Sequence, residues 1–253
     1  MNGYFTDRPA PGRREMEDAL ARRAGPDLQK AFSGATVAIL GLGGLGSNIA
    51  VMLARAGVGR LILADFDRVD VTNLNRQQYK VCQTGMLKTE ALRENLLEIA
   101  PYADLITVTE KITEASFDRS PESDCRSGMS SVFTLLDKAG IICEAFDDPA
   151  AKAMVVNNVL EKFPQKYIIA SSGMAGLGSS NAIKTRRVSE RFFICGDGVS
   201  DAAERPGLIS ARVALCAAHQ ANMALRILAG QTEALIPVRL IKQDPQQKEG
   251  NHK

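Results

Sequence analysis

Residues 37–76 read VAILGLGGLGSNIAVMLARAGVGRLILADFDRVDVTNLNR, and this stretch decides the fold. A buried strand over Val37–Leu40 runs into a glycine turn, then a helix opening near Leu45, then a second apolar strand over Leu61–Leu63. That strand gives way to Asp65 and Asp67, and the segment Asn73-Leu74-Asn75-Arg76-Gln77 follows. Gly41, Gly43 and Gly46 match the spacing G-x-G-x-x-G, with Gly44 as an extra glycine. Such a turn needs glycine for positive φ, for close approach of backbone to phosphate, and for close packing of helix on strand. The helix beyond it points unpaired N–H groups and its positive dipole end at an anion. Asp65, about 20 residues on, stands where a carboxylate accepts hydrogen bonds from ribose hydroxyls.

The pattern predicts a Rossmann-like nucleotide site without choosing between ATP and NAD, which share an adenosine half. The next residues choose. Asn73, Arg76 and Gln77 follow the acidic pair, and Lys88 opens an amphipathic helix with apolar residues at Leu92, Leu96, Leu97 and Ile99. An arginine and a lysine converging on the phosphate end suit a polyphosphate whose charge must be offset. They suit a hydride-accepting nicotinamide far less well. Asp147 falls in a strand-end loop, between the apolar run 140–143 and a helix predicted over 150–161. Open α/β sheets bind ligands at such carboxyl ends. Asp148, next to Pro149, is the better helix cap, which leaves Asp147 free.

These motifs, in this order, carry a resemblance. GLGGLGS, ADFDRVDVTNLNRQQY, the GMLK that ends in Lys88, EAFDDPAAKAMVVN and SSGMAGLGSSNAIKTRR together resemble the adenylation domain of the ThiF, MoeB and HesA family and of ubiquitin-activating enzymes. SGMAG, ICGDG and ALCAAHQAN resemble the short ThiF-like branch tied to thiamine (thiazole) biosynthesis, and the similarity covers roughly residues 12–230. The resemblance implies an α/β fold with a mostly parallel central sheet flanked by helices. It implies ATP- and Mg²⁺-dependent adenylation of the C-terminal Gly-Gly carboxylate of a ThiS-like sulfur carrier, with release of pyrophosphate. Carried over by position, Gly44 approaches the nucleotide, Asp65 holds the ribose, and Asn73, Arg76 and Lys88 contact phosphates. Asp147 binds Mg²⁺, and Gly41, Gly43, Gly46, Asp67, Asn75, Gln77 and Asp148 complete the expected ATP site. The small residues of SSGMAGLGSSN leave room for a Gly-Gly tail, a plain glycine-rich turn being the alternative. Two further functions stay open: activation of a non-protein carboxylate such as a modified tRNA base, and nucleotide binding without catalysis.

Family members add an arginine from a neighbouring subunit. The helical stretch 12–25 (GRREMEDALARRAG) offers Arg13, Arg14, Arg22 and Arg23, with Arg14 favoured, which implies a homodimer. None of the five cysteines forms a C-x-x-C pair and there are only two histidines, so no zinc site is expected. Cys195 is the nearest candidate for a thioester or persulfide role by order along the chain, although its surroundings do not match the family's motif. Cys143 and Cys216 lie in apolar runs and read as core residues.

At 253 residues and 45% apolar, the chain can bury one large core. The predicted organisation is a flexible N-terminus over 1–11, a single adenylation domain over 12–235, and a disordered polar tail over 240–253. The Ser-rich stretch 118–131 reads as a loop or short lid. A net charge of +2 shows no pull toward nucleic acid or membrane. Absence of an apolar leader and five cysteines without evident pairing fit a cytoplasmic protein.

Overall fold

A computed structural model describes residues 11–118, 131–201, 203 and 207–233. The expected flexible start, the tail at 240–253 and nearly all of the 118–131 loop therefore lie outside the described residues, as does Cys125.

The chain opens with α1 (Arg13–Ala24) and α2 (Pro26–Ser33). Then β1 (Thr36–Leu40), α3 (Gly44–Arg55), β2 (Arg60–Ala64), α4 (Lys88–Ile99) and β3 (Asp104–Val108) form the first half. The second half contains α5 (Val132–Lys138), β4 (Ile141–Glu144), α6 (Pro149–Lys162) and β5 (Tyr167–Ser171). A hairpin of β6 (Lys184–Arg187) and β7 (Phe192–Gly196) follows, and α7 (Ser210–Leu228) closes the described chain.

The strands make one sheet in the order β3-β2-β1-β4-β5-β7-β6. Every pairing is parallel except β6 with β7. Parallel sheets are covered on both faces, so their strands read as unbroken apolar runs. Here successive residues of β1 serve opposite layers. Val37 and Ile39 join the core under α3, α4 and α7, while Ala38 and Leu40 join the core under α5 and α6.

The chain builds outward from β1 to β3, then returns to the other side of β1 with β4. This reversal opens a crevice at the carboxyl ends of β1 and β4, where α/β sheets take their ligands. The glycine turn follows β1, and Asp147 follows β4.

The β6–β7 hairpin was not legible as strands, because β6 reads KTRR and is mostly exposed at the sheet edge. The long helix α7 starts at Ser210, with Ile209 extended before it. Its apolar face packs on α3 and fills the core through Val213, Cys216, Met223 and Ile227.

Candidate functional site

The glycine turn is fixed by contacts that only glycine permits. Gly41 has φ +92°, and a β-carbon there would stand 2.8 Å from the Ala145 carbonyl oxygen. A β-carbon on Gly46 would stand 1.8 Å from the carbonyl oxygen of Gly41. Gly44, expected to face the nucleotide, is also where Val213 of α7 and the Arg76 side chain close on α3, 2.9 and 3.3 Å from a β-carbon built there.

Asp65 clamps this turn. Its Oδ2 accepts the Leu42 N–H at 2.6 Å and its Oδ1 accepts the Asp67 N–H at 2.8 Å. Each carboxylate oxygen keeps a further lone pair, so the group can still accept from a ribose hydroxyl. Lys88, the first residue of α4, is buried and sets its ammonium 2.8 Å from Asp67 and 3.7 Å from Asp65. Tyr79 lies beneath and donates to the Leu42 carbonyl at 2.7 Å. Burial, with the charges of Asp65 and Asp67, pushes its phenol well above the ordinary range, so it remains a donor.

Arg76 is held from two sides. Its Nη2 donates to Asn73 Oδ1 at 2.9 Å and its Nη1 donates to Asn75 Oδ1 at 3.0 Å. Both asparagines, expected at the phosphates, orient the arginine. Asn48 of α3 donates to the carbonyls of Gly44 and Arg76 at 2.6 and 3.1 Å, and Ser47 Oγ accepts the Gln78 N–H at 3.1 Å. These bonds tie the arginine segment to the first turn of α3. Among the described residues, Arg76 Nε and Gln77 Oε1 are buried without a protein partner. An unpaired buried polar atom is costly unless a ligand or water meets it.

At the end of β4, Asp148 Oδ1 accepts the Ala151 N–H at 2.7 Å and caps α6. This is the cap expected of Asp148, which is also expected at the ATP site, and it uses one of the two carboxylate oxygens. Asp147 beside it is exposed and makes no such bond among the described residues. One free carboxylate at a phosphate site suits Mg²⁺, which is commonly bound by one or two carboxylates and substrate phosphates. Among the described residues no three His, Cys, Asp or Glu side chains converge as a metal cluster.

Three further groups escaped the sequence reading. Glu144, wholly buried, accepts the Phe146 N–H at 2.7 Å and pairs with Lys152 at 3.0 Å, and Lys152 also donates to Ser171 at 2.9 Å. Burial pushes the Glu144 carboxyl up, and Lys152 opposes that. The signal available was an acid ending an otherwise apolar strand, IICE. Tyr79 and the Arg212–Asp197 pair left no local signal.

Neither Arg14 nor Cys195 is poised for chemistry within a single chain, and Arg14 is expected to act only from a neighbouring subunit. Helix α1 lines a groove with Thr36, Arg60 and Asp104, at the amino ends of β1, β2 and β3. Arg14 is therefore on the edge opposite the glycine turn, and only a second copy could bring it to the site. Cys195 points into the core with no exposed surface, and burial pushes its thiol up to about 12. A thiolate nucleophile needs access and a lowered pKa, and Cys195 has neither.

The sequence profile of the ThiF family matches residues 17–251. The ubiquitin-like modifier-activating enzyme 5 of Caenorhabditis elegans is 48% identical over 66 residues, which are 26% of this chain and 16% of that protein. The tRNA threonylcarbamoyladenosine dehydratase of Bacillus subtilis (strain 168) is 38% identical over 96 residues, 38% of each chain. These matches thus span well under two thirds of the relatives' own lengths. Among solved structures, the E. coli tRNA N6-threonylcarbamoyladenosine dehydratase in complex with ATP superposes with a TM-score of 0.70 at 19% identity, covering 86% of this chain and 95% of that one. That likeness shows a shared fold.

Proposed function

The chain belongs to the ThiF family of adenylating enzymes, and from that premise we propose that it uses ATP to activate a carboxylate as an acyl-adenylate. The observation that carries the reading is the paired cations at the switch point: Arg76 tethered by Asn73 and Asn75, and Lys88 set against Asp65 and Asp67. The N–H groups at the start of α3 and the Arg76 guanidinium take the phosphates. Asp65 takes the ribose, and Gln77 offers its free carbonyl oxygen to a donor on the nucleotide. Mg²⁺ at Asp147 would neutralise phosphate charge. A carboxylate oxygen attacks the α-phosphorus, the bond to the β-phosphate oxygen breaks, and pyrophosphate leaves with the electron pair. Both reactants are anions, so the two cations lower their repulsion as they meet. Residues 12–235 act as one adenylation domain in this reading.

Two acceptors divide the finer question. The motifs after β5 suggested a ThiS-like carrier ending in Gly-Gly, in thiazole formation. The comparisons lend more weight to the alternative, a carboxylate on a modified tRNA base, through the Bacillus subtilis relative. No helix among the described residues is long and apolar enough to cross a membrane. ATP–pyrophosphate exchange is the test, run with a Gly-Gly carrier and with tRNA bearing N6-threonylcarbamoyladenosine. Exchange that needs either acceptor supports adenylation and names its class. ATP binding with no exchange on both would end the reading.

A further inference from the structure

Arg212 is a buried charge that the nucleotide site does not use. It lies in the first turn of α7, only 7% exposed, with its side chain turned across the glycine-rich loop that follows β5. Its Nη1 donates to the carbonyls of Gly178 and Ser179 at 2.5 and 2.8 Å, and its Nη2 pairs with the Asp197 carboxylate. Asp197 follows β7 and also accepts the N–H groups of Val199 and Ser200, both at 2.9 Å. One ion pair therefore joins the loop after β5, the exit of β7 and the start of α7.

The network continues on both sides. The Asp197 and Gly198 N–H groups donate to Gly173 and Ser172, and the Gly176 N–H donates to Gly207, each at 2.9 Å. Leu208 accepts from Asn75 Nδ2 at 3.4 Å, which reaches the segment that carries Arg76. Val213, next to Arg212, is the residue that closes on Gly44.

A buried guanidinium is a poor way to hold a helix on a sheet, because desolvation offsets much of what the pair contributes. Arg212 Nε even lacks a partner among the described residues. What the fork gives, and an apolar side chain would not, is a defined place for the Gly178 and Ser179 carbonyls. The sheet order explains why that place matters. Asp65 follows β2, the glycine turn follows β1, Asp147 follows β4, and the loop over 172–181 follows β5. A nucleotide with its ribose at Asp65 and phosphates at the glycine turn runs along these carboxyl ends toward β5. The attacking carboxylate must then enter from the β5 side.

Resting on the adenylation reading, we propose that Arg212 is a positioning residue for the carboxylate acceptor. Through the Gly178 and Ser179 carbonyls and Asp197, it holds the 172–181 loop as a fixed wall of the acceptor's entry, without touching the nucleotide.

The test uses the full chain with three sequences: the parent, Arg212→Lys, and the double variant Arg212→Met with Asp197→Asn. The double variant leaves no unpaired buried charge, so it can fold. Hydrogen–deuterium exchange follows residues 172–181, and pyrophosphate exchange gives KM for ATP and for each acceptor, a Gly-Gly carrier and threonylcarbamoyladenosine-bearing tRNA. The expected result is a rise of ~10-fold or more in acceptor KM. KM for ATP stays within about twofold, since the bonds of the Arg212 and Asp197 side chains go to the loops after β5 and β7 and not to the glycine turn, Asp65 or Arg76. Deuterium uptake rises in 172–181 and not in the glycine turn, and Arg212→Lys recovers part of the acceptor KM. Equal rises in both KM values, an unchanged acceptor KM, or uptake rising across the whole sheet would overturn the assignment. A parent enzyme without exchange on either acceptor would instead overturn adenylation itself, and the acceptor role with it.

Discussion

Lys88 sets its ammonium 2.8 Å from the Asp67 carboxylate and 3.7 Å from that of Asp65, with the lysine side chain only 8% exposed. Asp65 in turn holds the Leu42 N–H in the glycine turn. Asp65, the glycine turn and the buried Lys88 ammonium are therefore one unit. A change at any of the three reaches the others.

Lys88→Met should damage both folding and chemistry. It strands the Asp65 carboxylate in the interior beside a second carboxylate, and losing one member of a buried pair costs roughly 3 kcal/mol. Asp67 is half exposed and water screens its share, so the loss comes mainly through Asp65. Urea unfolding should show a lower midpoint, and kcat/KM for exchange should fall by ~10² or more. A variant as stable as the parent would mean that Lys88 does not balance Asp65.

Asp147 and Asp148 are neighbours with separable work. Asp147→Ala should lower adenylation by more than ~10² and leave the unfolding midpoint in place. Asp148→Ala removes the Ala151 cap and should cost about 1 kcal/mol of stability, with the Mg²⁺ dependence of exchange unchanged. Metal titrations and melts on both variants check this. Reversed phenotypes would exchange the two assignments.

Acid stability should depend on Asp197. Burial alone would raise its pKa, but the N–H groups of Ser200 and Val199, the Ser200 side chain and the Arg212 guanidinium hold it well below the usual carboxylate range. A depressed native pKa adds stability above the unfolded value of about 3.9, and that stability is lost as pH falls toward the native pKa. Below about pH 4 the parent should therefore lose stability more steeply than Asp197→Asn. Parallel curves from urea melts at several acidic pH values would show that Asp197 is not depressed.

The geometry around the glycine turn was legible because it is local. Glycine spacing, a carboxylate ending β2 and a lysine opening α4 are set by the consecutive units β1–α3 and β2–α4, so position along the chain gives position in space. The side built from β4, β5 and β7 was not. Lys152 joins Glu144 to Ser171, and Arg212 meets Ser179 and Asp197, only once β4, β5 and β7 are side by side. Arg14 stands on a helix whose sequence is unmistakable, yet its edge of the sheet is a tertiary fact. Cys195 was within reach: in FFICG the alternate residues Phe193 and Cys195 are buried, as a period-two reading requires.

If Arg14 serves a neighbouring copy, two dead variants should repair each other. Each site would take Asp147 from one chain and Arg14 from its partner. Arg14→Ala mixed equally with Asp147→Ala should then form one intact site in each mixed dimer and recover about a quarter of parent activity. Exchange assays on variants refolded together make the measurement, with size-exclusion chromatography to confirm the dimer. No recovery in a confirmed mixed dimer would remove Arg14 from the site.

Cys195 should be inert toward thiol chemistry in the folded chain. Its side chain is fully buried on β7, 3.5 Å from Thr185 Oγ1, and burial pushes its thiol up to about 12. The thiolate that would attack or alkylate is therefore scarce at neutral pH. Cys82 is exposed and supplies an internal comparison. Iodoacetamide treatment of native protein, followed by peptide mass spectrometry, should label Cys82 and spare Cys195 until denaturant is added. Cys195→Ala should keep pyrophosphate exchange near the parent rate, with at most a small loss of stability from the vacated sulfur volume. Rapid native labelling of Cys195 would show that β7 opens, and would return a sulfur-transfer role to this chain.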